Sequence, residues 1–91
     1  MNNAIGKSGP IHFYPTEQRP ERISNIVEYC VQLGDRQPLN RSQSVWLVSS
    51  SQVLVDGKVV DNCAVKLTHG TWQVTIRGRN HQVIVYPALW E

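Results

Sequence analysis

Residues 40–60, NRSQSVWLVSSSQVLVDGKVV, constrain the fold most, because they combine a helix start, a polar stop and a tight turn. Asn40 is a favourable N-cap, and Gln43 lies three residues later, where the second arm of a capping box belongs. The serines at 49–51 compete with the backbone for hydrogen bonds, so this helix should run for only about two to three turns. Val45, Trp46 and Val48 are expected to form its apolar side.

Residues 53–60 predict a β-hairpin directly after this helix. Val53-Leu54-Val55 and Lys58-Val59-Val60 flank Asp56-Gly57, a pair that tolerates the positive φ angles of a type I′ turn.

A second helix is predicted upstream, between Pro20 and Gly34. Its apolar residues recur at three-and-four spacing: Ile23, Ile26, Val27, Cys30, Val31 and Leu33. Gly34 is expected to cap the helix end, and the short segment 35–39 should join the two helices as an αα-hairpin.

The chain should close with two further strands. Trp72, Val74 and Ile76 alternate with polar residues, which predicts a strand with one buried face. We expect a turn at residues 78–80 and a returning strand over 81–86, with Leu89 and Trp90 packing back on the core or on a partner.

Residues 1–18 contain Gly and Pro without periodicity, so we predict a mostly irregular N-terminal arm. Phe13 and Tyr14 either dock this arm on the domain or belong to a disordered segment. Residues 19–91 should then form one small domain.

Composition limits the classes of function. With 41% hydrophobic and 18% charged residues, no transmembrane run and no secretory signal pattern, we expect a soluble, cytoplasmic protein. Cys30 and Cys63 form no C-x-x-C pair and are interpreted as ordinary buried thiols. A net charge of +2 permits nucleic acid as a partner without requiring it.

No catalytic motif is present. His12, His69 and His81 have neither metal-ligand spacing nor an acid beside them in sequence, and the serines lie outside any nucleophile elbow or phosphate loop. We therefore predict a protein that is not an enzyme and that uses no metal, cofactor or small-molecule substrate.

The order of these pieces resembles the S4 RNA-binding domain of a small-subunit ribosomal protein, pseudouridine synthases and bacterial tyrosyl-tRNA synthetases. Residues 40–43, NRSQ, and 53–60, VLVDGKVV, carry the resemblance, with Leu67 and Gly70 as further matches. The chain departs from the family pattern at Ser24, Asn62 and Thr71, and Ser44, Val45 and Trp46 replace the basic residues common after the cap.

The resemblance implies an α+β, S4-like fold (the αL motif), with two helices packed on a small, mostly antiparallel sheet. It also implies noncatalytic recognition of structured RNA, rRNA-like or tRNA-like, in translation, mostly through shape and 2′-hydroxyl contacts. The RNA-binding residues would be Arg36, Arg41, Ser42, Gln43, Lys58, Lys66, Arg77 and Arg79. Each arginine is otherwise an ordinary solvated residue, and Trp46 either stacks on RNA or contacts the core or a partner.

A second hypothesis is that the scaffold binds protein, either a partner or a second copy of itself. Trp46, Trp72, Trp90 and the N-terminal arm would form the contact. Basic residues that converge on one face would favour RNA instead.

Overall fold

The computed structural model describes residues 9–89 as two helices packed on one face of a five-stranded sheet. In chain order the elements are β1 (Ile11–Phe13), α1 (Ile23–Tyr29), a π-helical segment (Cys30–Gly34), α2 (Arg41–Ser49), β2 (Val53–Val55), β3 (Lys58–Val59), β4 (Gly70–Ile76) and β5 (Arg79–Val85). Within 9–89, no helix is both long and apolar enough to cross a bilayer.

The sheet has the strand order β1-β5-β4-β2-β3 and is mixed. Three of its pairings are antiparallel, while β1 runs parallel to β5. Alternate side chains on β2, β4 and β5 point toward the helices and are buried, among them Val53, Val74 and Val83. They pack against the apolar faces of the helices around Ile26, Leu47 and their neighbours, so the predicted α+β class is confirmed.

The N-terminal segment contains a strand where an irregular arm was predicted, and the alternative in which Phe13 docks on the domain is confirmed. Ile11–Phe13 form an edge strand in register with Val83–Val85, and Phe13 is fully buried with its ring edge-on to Tyr29. Ile11 and Phe13 therefore belong to the same hydrophobic core as the residues of the helices and of strands β2, β4 and β5. Residues 1–8 of the predicted arm lie outside the described part of the chain.

The first helix ends differently from the prediction. Its last turn widens so that the Asp35 N–H donates to the Cys30 carbonyl five residues back, at 3.2 Å. Arg36, with φ 57°, takes the left-handed conformation that is common just after a helix end, in place of Gly34, which was expected to cap the helix. Gly34 is needed for space instead, because an added Cβ would lie 2.8 Å from Cδ2 of His81.

The start of α2 confirms the predicted capping box. The Asn40 side chain accepts from the Gln43 N–H at 2.9 Å, and the Asn40 N–H donates to the Gln43 side chain at 2.9 Å. The predicted apolar side was wrong in part. Ser44, Leu47 and Val48 are buried, whereas Trp46 is 60% exposed. The Ser44 hydroxyl can be buried because it donates to the Arg41 carbonyl.

Both hairpin turns are formed by two residues with positive φ, as a type I′ turn requires. Asp56 (49°) and Gly57 (84°) confirm the first prediction. The second turn lies at Arg77 (50°) and Gly78 (82°) rather than at residues 78–80, so β5 begins at Arg79. Beyond β5, Leu89 is 96% exposed and therefore does not pack back on the core, and Trp90 lies outside the described residues.

Candidate functional site

The loop between the π-helical segment and α2 organises the candidate site. Its backbone is held to the first helix, since the Gln37 N–H donates to the Val31 carbonyl at 3.1 Å and Gln32 Nε2 donates to the Leu39 carbonyl at 2.7 Å. The loop is therefore a fixed support for the residues at the start of α2.

Asp35 ties this loop to the sheet. Its Oδ1 lies 2.9 Å from His81 Nε2 and 3.2 Å from Arg79 Nε. The Asp35 side chain is 13% exposed and that of His81 is 7% exposed, so this contact is largely shielded from water. The Nδ1 atom of His81 lies 3.3 Å from the Val74 carbonyl, which fixes the ring between β4 and the loop. Arg36, the next residue after Asp35, is thereby held at a defined place.

Two contiguous depressions lie around this loop and share Gln37, Pro38, Leu39 and Gln43. Arg36 borders the first, and Trp46 with Arg77 borders the second. We call the exposed residues Arg36, Gln37, Gln43, Trp46 and Arg77 the helix-start surface.

Both arginines of the helix-start surface are held by strained backbone turns with positive φ. Neither forms an ion pair with a carboxylate among the described residues, whose pairs involve Arg41, Arg79 and His81. Arg77 borders the same depression as the 60% exposed indole ring of Trp46, and Arg36 is exposed at the other depression, across the shared loop residues 37–39.

The remaining predicted site residues are only partly brought together. Arg41 lies at the first turn of α2 but is paired with Glu28 at 3.3 Å, and the Ser42 hydroxyl donates to the Asn40 side chain. Arg79 borders a neighbouring cleft together with Arg36.

The two predicted lysines lie elsewhere. Lys58 is on the edge strand β3, and Lys66 borders a separate depression with Glu21 and His69. Of the basic residues named from the sequence, Arg36, Arg77 and Arg79 lie around the loop.

Sequence reasoning missed Asp35 and His81 as parts of this site. It sought an acid beside each histidine along the chain, but the partner of His81 lies 46 residues away. The only local signal was Asp35 after a glycine at a helix end, which is also common in ordinary turns.

The described residues offer little for chemistry. Burial, reinforced by the nearby Asp35 charge, raises the pKa of the Cys30 thiol far above its ordinary value, so this thiol is not a nucleophile at neutral pH. No group of three or more His, Cys, Asp or Glu side chains within 9–89 is arranged to hold a metal ion. The arrangement is suited to binding anions and planar groups.

Comparison with known proteins adds no assignment: no family model matches the chain, and no curated protein is significantly similar to it.

Proposed function

We propose that this chain is an S4-like domain that binds structured RNA without catalysis, through the helix-start surface. The observation that carries the proposal is the convergence of Arg36 and Arg77, each without an ion-pair partner among the described residues, on the capped start of α2 and exposed Trp46.

The chemistry of this surface fits an RNA backbone. Guanidinium groups bind phosphate oxygens through paired hydrogen bonds, and the start of a helix favours negative charge. The exposed ring of Trp46 offers a stacking face, and such stacking contributes about 1–3 kcal/mol per base in single-strand binders. Gln43 adds an amide beside the ring, although its side chain also accepts from the Asn40 N–H.

The order of elements supports the S4-like assignment. Two packed helices, the second starting with NRSQ, are followed by a D-G hairpin and then by two long antiparallel strands, as the resemblance implies. The parallel strand β1 is an addition that the resemblance does not include.

The test is a titration of the protein with bulk tRNA at about 50 and 200 mM salt, with an Arg36→Ala, Arg77→Ala variant beside the wild type. We expect saturable binding that weakens with salt. Because each lost phosphate contact removes about 0.7–0.9 from the slope of log K against log salt, the double variant should lower that slope by about 1.4–1.8.

The matched control is Lys58→Ala, Lys66→Ala, which removes the same charge from sites away from the helix-start surface. Equal losses in the two double variants would mean that only net charge matters and would refute this location. No binding by the wild type at the lower salt would refute the proposal itself.

The second candidate is binding of a protein partner or a second copy of the chain through Trp46. It is favoured by the exposure of this indole, because tryptophan is enriched at the energetic centres of interfaces. The other predicted contacts support it less: Trp72 is half-buried with its Nε1 donating to the Thr68 carbonyl, and β1 is committed to the sheet. Failure of the tRNA titration would favour this candidate.

A further inference from the structure

A polar cleft lies beside the first half of β5, next to the helix-start surface. β1 pairs only with Val83–Val85, so the preceding residues Arg79–Gln82 have a strand partner on the β4 side alone within the described chain. The cleft lies along this part of β5, where no strand pairs on the β1 side, and it is bordered by the loop residues Asp35 and Arg36.

The charge in this cleft favours an anion. Arg36 and Arg79 both border it, and the single carboxylate there, Asp35, already lies against Arg79 and His81. The Arg79 side chain remains 71% exposed, so its guanidinium group can bind a second partner from the solvent side.

Three carboxamides line the other wall, where β4 and β5 present the face of the sheet that carries no helix. Gln73 and Gln82 lie directly opposite each other, with Asn80 beside them on β5. Asn80 Nδ2 donates to Gln73 Oε1 at 2.8 Å, which leaves the Gln73 amide N–H groups free to donate outward. Gln82 is exposed, and its carboxamide makes no hydrogen bond within residues 9–89 that would hold it away from a ligand.

Arg36 connects this cleft with the helix-start surface, because it borders both. A strand of RNA with a phosphate at Arg36 could therefore continue from one to the other. Carboxamides read the donor and acceptor edges of bases, and proteins read RNA sequence mainly at bases that are unpaired.

We propose that the cleft holds one unpaired nucleotide of an RNA bound at the helix-start surface, an inference that rests on the proposed function. Arg36 and Arg79 bind the phosphate of this nucleotide, and Gln73 and Gln82 contact the edge of its base. The domain thus recognises a bulge or an overhang in structured RNA, and not the duplex alone.

A peptide added as a strand along β5 is the competing occupant. Such a peptide would use the backbone N–H and C=O groups of β5 and would need pockets for apolar side chains. The side chains around the cleft are instead mostly polar, and its apolar member Ile11 is only 7% exposed.

The experiment measures binding by fluorescence anisotropy. It compares a labelled RNA hairpin without a bulge with four otherwise identical hairpins that carry one bulged nucleotide, A, C, G or U. We expect the wild type to bind the best bulged hairpin about tenfold more tightly than the hairpin without a bulge, the scale of one good base contact. Gln82→Ala should remove this preference and leave affinity for the unbulged hairpin unchanged.

Gln18→Ala is the matched control, because Gln18 is an exposed carboxamide that does not border the cleft. It should keep the full preference. The inference would be overturned if the wild type bound bulged and unbulged hairpins equally, or if the preference survived Gln82→Ala. The proposed function would still stand in either case, provided the Arg36→Ala, Arg77→Ala variant lost affinity. No binding of either hairpin would overturn both.

Discussion

Gly34 shows how a single residue allows the loop to approach the sheet. His81 lies against its Cα, on the side where any other residue would carry a Cβ, and Ile11 Cδ1 lies 3.0 Å from the same point. The lack of a side chain, not an unusual φ, is therefore what the site requires from glycine here.

Gly34→Ala should destabilise the domain by about 1–3 kcal/mol, the usual cost of adding a methyl group to a packed site. Urea denaturation measures this change. The cost should fall clearly in a His81→Ala background, where the closest contact is gone. The same cost in both backgrounds would contradict the steric explanation.

At the scale of single elements, α2 owes its start to the capping box at Asn40. The cap satisfies backbone N–H groups that the first turn leaves without partners. Gln43 takes part in the cap itself, and Trp46 lies three residues later on the same side of the helix.

Replacing Asn40 with Ala should cost about 1 kcal/mol of unfolding free energy, because the side-chain acceptor is lost. Asn40→Ser is the matched control and should stay within a few tenths of the wild type, since serine caps about equally well. Urea denaturation of the three proteins checks this. Similar losses for Ala and Ser would show that the asparagine acts by something other than its cap.

Local patterns predicted some elements well and others poorly. The Asn40 cap and the Asp56-Gly57 turn are set by interactions within four residues, so the sequence is sufficient to place them. β1 depends on pairing with residues 83–85. The strand has only three residues, with Gly9-Pro10 before it and Pro15 after it, which is too short for a periodicity to reveal it.

The candidate site was predictable to a similar degree. Arg36 and Gln43 follow from the helix start, and Arg77 from a turn. Their convergence depends on how the loop meets the sheet, and the contact that ties the two, between Asp35 and His81, joins residues 46 positions apart. Trp46 was predicted to lie on the apolar side of α2, with core contact as one alternative, and it is exposed because Ser44, a polar residue, takes a buried position of α2 instead.

For the molecule as a whole, Phe13 tests whether the N-terminal segment is part of the folded unit. Phe13→Ala should cost about 3–5 kcal/mol, because the ring is fully buried. A domain of this size is stable by only about 5–15 kcal/mol, so the loss should be conspicuous in urea denaturation. The neighbouring Tyr14→Ala, at a 60% exposed position stacked on Tyr86, should cost less than about 1 kcal/mol. Equal effects would indicate that β1 is not anchored through Phe13.

The pairing of β1 with β5 also limits when the sheet can be fully paired during synthesis of the chain. Val85 is made some seventy residues after its partner Phe13. The first strand therefore has no partner until almost the entire described chain has left the ribosome, and its apolar side chains stay exposed until then. Helices α1 and α2 can form earlier from local contacts, but this edge of the sheet closes only when β1 pairs with β5.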